Sequence, residues 1–166
     1  MSKKAIFTYG RMNPPTKGHE SLIKTLLKNS KKEGADPFIV ITHTQNKKKN
    51  PLTAAEKKNI LEKMFPNVPV LSTSKSEPNP NYIINKLKSK GYDNIQMMVG
   101  SDRLNSFGFV KAPVRSGGER GPSSISATKV RAAALNNKNI KPLMSNKLSN
   151  KNLKNIKNKI VNRLRK

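Results

Sequence analysis

Ala5-Ile6-Phe7-Thr8-Tyr9 runs straight into Gly10-Arg11-Met12-Asn13-Pro14-Pro15-Thr16-Lys17-Gly18-His19, and this junction decides how the rest of the chain is read. The first five residues end at a glycine, which predicts a short strand. Pro14 and Pro15 forbid regular structure and stiffen the loop. From Gly18 a helical pattern begins. Leu22, Ile23, Leu26 and Leu27 recur at helical spacing, the pattern runs out near Asn29-Ser30, and Gly34 marks the stop.

Working outward, the same alternation repeats. Phe38-Ile39-Val40-Ile41-Thr42 is a continuous apolar run, which suits a strand buried on both faces. After a basic loop, Asn46 to Pro51, Thr53-Ala54-Ala55-Glu56 reads as a capping box. It opens a helix through Ile60, Leu61, Met64 and Phe65 that Pro66 closes. Val68 to Leu71 is a short strand. A helix from about Asn81 to Lys90 follows, with Gly91 as its cap. Ile95 to Val99 is a further buried strand ending at Gly100-Ser101-Asp102. A short helix over Asp102 to Phe107, a weak strand over Val110 to Arg115 and a Gly/Ser-rich loop over 116–124 come next. Ser126 then caps a helix from Ala127 to Leu135. Strands and helices in strict alternation predict an α/β fold: a Rossmann-like, doubly wound parallel sheet of five strands with helices on both faces.

Beyond Asn136 the composition changes. Residues 137–166 hold ten Lys or Arg and no acidic residue, while Leu153, Ile156, Ile160 and Leu164 recur at helical spacing. This predicts a basic amphipathic C-terminal helix. The expected division is one Rossmann-like domain over 1–140 and a basic helical extension over 141–166 packed on it. A nucleic-acid or membrane-surface arm is the sharper alternative for that helix.

Composition narrows the classes. The 166 residues include 34 Lys+Arg and 9 Asp+Glu, a net charge of +25, with a pI near 10.6. Such a field attracts nucleotides, nucleic acid or an anionic surface. Yet 27 of the basic residues are Lys and 20 further residues are Asn, both with A-rich codons, so base composition alone can load the surface this way. The chain has no Cys and two His, which leaves no thiol chemistry, no thiolate zinc site and no histidine cluster. No stretch approaches 18 apolar residues, and the N-terminal apolar run is too short for a signal peptide. The expected setting is cytoplasmic, without a membrane partner.

Three segments carry chemistry, and each falls where a predicted strand or helix hands over. In open parallel sheets, ligands bind outside the C-terminal strand ends. The Gly10–His19 loop brings Thr16, Lys17 and His19 to a helix start, where unpaired N–H groups suit phosphate. Gly100-Ser101-Asp102 can present backbone groups and one carboxylate. Ile125-Ser126-Ala127-Thr128-Lys129-Val130-Arg131 puts two hydroxyls and two cations at another helix start, which suits a polyphosphate.

Together these segments resemble the HxGH, or cytidylyltransferase-like, nucleotidyltransferase superfamily. The resemblance spans roughly residues 4–140 and is closest to nicotinamide-nucleotide adenylyltransferases. Gly-Ser-Asp-Arg and Ser116-Gly117-Gly118-Glu119-Arg120 also look like compact members from large DNA viruses and phages, which would place the protein in host cytoplasm. The resemblance implies adenylyl transfer from ATP to a phosphorylated small-molecule acceptor, nicotinamide mononucleotide giving NAD, with release of pyrophosphate. Phosphopantetheine as acceptor, or CTP as donor, are the alternatives within the class. A basic nucleic-acid-binding protein on the same scaffold is the alternative outside it. By resemblance His19, Thr16 and Arg131 are catalytic. Tyr9, Gly10, Arg11, Asn13, Lys17, Gly18, Gly100, Asp102, Ser126, Thr128 and Lys129 bind nucleotide. Mg²⁺ accompanies ATP without dedicated protein ligands. Two departures stand out: Thr16 replaces the first His of the signature, and no Trp follows Gly-Ser-Asp.

Overall fold

The computed structural model describes residues 3–117 and 126–165, so the Gly118-Glu119-Arg120 stretch and Ile125 lie outside the described residues. The elements in chain order are β1 (Lys4–Gly10), α1 (Lys17–Glu33), β2 (Asp36–Ile41), α2 (Ala54–Met64), β3 (Val70–Ser72) and α3 (Pro80–Ser89). Then come β4 (Asn94–Val99), a 3₁₀ helix (Ser101–Phe107), β5 (Val114–Ser116), α4 (Ala127–Leu135), a short 3₁₀ turn (Lys141–Leu143) and α5 (Asn150–Leu164). The five strands form one parallel sheet in the order β3-β2-β1-β4-β5. This is the Rossmann-like α/β architecture.

The sheet is covered on both faces, and the alternation of side chains along each strand explains how. On one face, Ile39 and Ile41 of β2 join Ile60, Leu61 and Met64 of α2, Val130 and Ala134 of α4, and Leu153, Ile156 and Ile160 of α5. Ile6 and Met98 meet Leu22 and Leu26 of α1. On the other face, Phe7, Phe38, Val40 and Met97 pack against Ile83, Ile84 and Leu87 of α3. Strands buried on both sides are mostly apolar, as the centres of β1, β2 and β4 are, with Thr8 a buried polar exception.

Local chemistry sets the boundaries, and some differ from the expected ones. α1 continues one turn past Ser30 to Glu33, with Lys31 and Lys32 in its last turn and Gly34 left-handed at φ 67°. Cations at a helix C-terminus and a glycine beyond it favour that extension. β3 begins at Val70 rather than Val68 because Pro69 has no N–H to give; its carbonyl accepts from Ile39 instead. β5 is confined to three residues after Pro113 for the same reason, since Pro113 accepts from Met97 but cannot donate. Gly117 follows at a close approach. A Cβ there would lie 2.4 Å from Leu22 Cδ1 and 3.0 Å from Met98 Cγ and Sδ. Gly117→Ala is therefore expected to destabilise the protein by about 1–3 kcal/mol, an overpacking cost. A denaturant midpoint equal to wild type would show that Leu22 and Met98 yield without cost.

The C-terminal helix is fixed by charge as well as by its apolar stripe. Arg163 donates both guanidinium nitrogens to the Glu56 carboxylate at the start of α2, and Lys159 adds a contact at 3.0 Å. Burial opposes ionisation of Glu56. The bonds from Arg163, the Thr53 N–H and Lys159 outweigh it and hold the carboxyl at about 2. A carboxyl depressed in the fold stabilises above its ordinary pKa and loses that contribution as pH falls towards the depressed value. The thermal stability gap between wild type and Glu56→Gln should therefore be widest near neutral pH and narrow between about pH 4.5 and 2. A gap constant across that window would refute the linkage.

Candidate active site

β1 is the switch point of the sheet. After β3 the chain crosses back over it to form β4 on its other side. The register pairs Thr8 with Met98, so Gly10 and Gly100, two residues further along each strand, end at one level. A cleft of about 870 Å³, open mouth included, lies at these strand ends. Its walls come from the ends of β1 and β4, the loop after β1, the 3₁₀ helix and the starts of α1 and α4.

The structure brings together nine of the residues singled out in the sequence: Tyr9, Gly10, Arg11, Asn13, His19, Gly100, Ser126, Thr128 and Arg131. His19 is the third residue of α1 and is only 7 % exposed. Its Nδ1 accepts the Thr16 backbone N–H at 3.0 Å, closing one half of a capping box. With Nδ1 accepting, the neutral ring carries its proton on Nε2. Arg131 is 9 % exposed and donates to the Asn13 carbonyl at 2.7 Å and to Thr128 Oγ1 at 3.2 Å. α4 is thus fastened to the loop after β1. Burial, and after it the nearby Arg11, acts against the charge on Arg131. A polyanion entering the cleft would relieve that repulsion.

Five residues named from the sequence do not line the cleft. Thr16 is wholly buried, and its Oγ1 accepts from the Gly18 and His19 amides at 3.1 and 3.5 Å. It is the N-cap of α1, and its hydroxyl accepts amides of the first turn. Lys17 and Gly18 sit in the first turn of α1, outside the lining. Asp102 is exposed on the 3₁₀ helix that follows Gly100, 3.9 Å from the Arg103 guanidinium. Lys129 is exposed in the first turn of α4. Asn13 does line the cleft, but its side chain is engaged behind it: Nδ2 donates to the Leu52 carbonyl at 2.9 Å and Oδ1 accepts the Leu52 N–H at 2.8 Å.

The structure adds residues that sequence reasoning passed over. Met12, Leu22, Thr42, Val99, Arg103, Phe107 and Ala127 complete the lining. Thr42 and Val99 were legible as residues at the ends of buried strands. Arg103 was visible as the fourth residue of Gly-Ser-Asp-Arg. Phe107 stands edge-on to Tyr9 with ring centroids 5.8 Å apart, and nothing in its sequence neighbourhood announces that meeting. Burial raises the Tyr9 phenol above its ordinary pKa. Among the described residues the lining holds three arginines, one histidine and two hydroxyl residues at the start of α4, and no carboxylate. That donor set suits a phosphorylated anion, and no group of three or more potential metal ligands occurs among the described residues.

Fold and cleft together define a Rossmann-like α/β protein with a cationic site at its topological switch point. The cytidylyltransferase-like family matches residues 7–133, and the chain belongs to that family of nucleotidyltransferases. No curated protein matches the chain. Among solved structures, one described as a macrolide-efflux protein from Streptococcus pneumoniae matches with 18 % identity and a TM-score of 0.48. The match covers 81 % of this chain and 53 % of that one, so the chain spans about half the length of that protein. No helix among the described residues is long and apolar enough to cross a membrane.

Proposed function

We propose that the protein transfers an adenylyl group from ATP to a phosphorylated acceptor, nicotinamide mononucleotide, giving NAD and pyrophosphate. One observation carries the transfer reading: His19 at the start of α1 and Ser126, Thr128 and Arg131 at the start of α4 line one cleft, with no carboxylate among its described residues. An acceptor phosphate oxygen attacks the α-phosphorus in line, a new P–O bond forms, and the bond to the β-phosphate oxygen breaks. A phosphate monoester is largely ionised at neutral pH, so no general base is required. Catalysis then consists of positioning and charge stabilisation. The Nε2 proton of His19 meets the charge developing at the bridging oxygen. Arg131, with the Ser126 and Thr128 hydroxyls, holds the β- and γ-phosphates of the leaving pyrophosphate. Mg²⁺ would arrive on the triphosphate, and the Ser126 and Thr128 hydroxyls would offer it neutral oxygen donors. Gly10 has room for a Cβ, whose nearest neighbours would be Met12 atoms at 3.7 and 3.8 Å. Internal packing therefore does not demand glycine there, and a phosphate approaching the backbone would.

The test is a pyrophosphate-release screen of ATP and CTP against nicotinamide mononucleotide, nicotinate mononucleotide and phosphopantetheine. Turnover with ATP and nicotinamide mononucleotide supports the full reading. Turnover with another pair keeps the transferase and replaces the substrate. Release from none of them, beside steeply salt-dependent binding of DNA or RNA, would favour the nucleic-acid-binding alternative suggested by the net charge of +25.

A further inference from the structure

Lys57, close to the cleft, is employed by neither the motifs nor the proposed chemistry. It lies on α2 and is 0 % exposed. Its ammonium donates to two backbone carbonyls, Arg11 and Thr42, at 2.7 Å each. Both of those residues line the cleft. The Thr42 N–H in turn donates to the Gly10 carbonyl at 3.3 Å. No carboxylate is paired with Lys57 among the described residues. A buried charge without a counterion is unfavourable unless hydrogen bonds compensate, and a position that needed only volume would hold Leu or Met. Burial, and after it the Arg11 charge, lowers the Lys57 pKa to about 8. The cationic form is thus held at an energetic cost where both of its acceptors belong to residues lining the cleft.

We propose that Lys57 is a positioning residue for the transfer reaction: its ammonium clamps the carbonyls of Arg11 and Thr42, and so fixes the loop after β1 on the end of β2. This rests on the transferase reading given above. The clamp acts through Arg11, Met12 and Asn13. Asn13 carries the carbonyl that receives Arg131, so the clamp also sets where the guanidinium of α4 stands. Release of one end of the loop would displace phosphate-binding groups without removing any of them. Misplacement on that scale costs about 10- to 100-fold in turnover.

The experiment compares Lys57→Met with Leu61→Ala, a fully buried residue on the same helix whose side chain makes no hydrogen bond. Turnover is read well below both melting temperatures. Lys57→Gln, which keeps an N–H donor without the charge, stands in if the Met variant does not fold. The expected result is a kcat lower by about 10- to 100-fold for the Lys57 variant, with KM for the triphosphate changed much less, and near-normal kcat for Leu61→Ala. Rescue is available because the chain has no cysteine. Lys57→Cys, alkylated in denaturant with 2-bromoethylamine and refolded beside a wild-type control, regenerates an aminoethyl side chain of near-lysine length and should recover turnover. A kcat within twofold of wild type for Lys57→Met, or equal losses in the Lys57 and Leu61 variants, would overturn the proposal. Amide exchange supplies a readout that needs no activity. The Thr42 amide should exchange about tenfold faster in Lys57→Met, with the Ile39 amide unchanged. If wild type transfers no nucleotide, the transferase reading fails by itself; exchange then judges the clamp, and an unaltered Thr42 rate rejects it.

Discussion

His19→Ala is expected to lower kcat for nucleotidyl transfer by about 10²-fold or more, the scale of a lost transition-state donor. The side chain is nearly buried, and its ring is held by the Thr16 N–H, so the donor is oriented before substrate arrives. Preorganisation of this kind contributes mainly in the transition state, so the loss should fall on kcat more than on KM. The substitution also removes half of a helix cap, at about 1 kcal/mol of stability. A second variant separates the two effects. In α5 the corresponding cap is closed by Asn152, whose Oδ1 accepts the Ser149 N–H. His19→Asn can close the cap of α1 in the same way, so its melting temperature should stay close to that of wild type while turnover remains at least about tenfold low. Near-normal turnover in His19→Ala would remove the histidine from the reaction.

Arg131→Ala should have an effect of comparable size but different shape. The guanidinium both faces the cleft and donates to the Asn13 carbonyl. Its loss removes a charge-assisted contact to phosphate and detaches α4 from the loop after β1. Triphosphate affinity and kcat are therefore expected to fall together, with kcat/KM lower by about 10²-fold. Thermal stability should also fall, because the Asn13 carbonyl loses a buried donor. Arg131→Lys would keep the charge but present one point donor in place of the fork, and should recover only part of the loss. Unchanged KM and kcat in Arg131→Ala would exclude it from the site.

The Lys57 clamp, the Glu56 pairs and these two side chains illustrate how unevenly the sequence disclosed its site. Histidine in the first turn of α1 and arginine in the second turn of α4 were legible because helix starts have local signatures: Ser or Thr as cap, glycine or proline ahead, apolar spacing behind. Thr16 is legible as a hydroxyl at a helix start, and in the fold that hydroxyl accepts the Gly18 and His19 amides. Sequence cannot tell whether a capping hydroxyl faces its own helix or a ligand. Asn13 raised the same ambiguity, since its engagement with Leu52 spans 39 positions of chain. Asp102 is exposed on the 3₁₀ helix that begins directly after Gly100, outside the described lining of the cleft. Lys57 stands in register with the apolar stripe of Ile60, Leu61 and Met64, but its neighbour Lys58 is exposed and residue type alone does not say which lysine is buried.

From the residues alone came the alternation of buried strands and amphipathic helices, hence a parallel sheet wound on both faces, and the two helix starts that carry its hydroxyls, histidine and arginine. Those features are local: spacing, capping and proline are decided within a few residues of chain. Tertiary structure alone decided that the two starts meet over one cleft, that three arginines and no described carboxylate line it, and that a lysine on a third helix reaches through to hold its loop. Such properties depend on the strand order β3-β2-β1-β4-β5, which brings segments more than a hundred residues apart within hydrogen-bond distance. No short-range pattern in a single sequence encodes that distance.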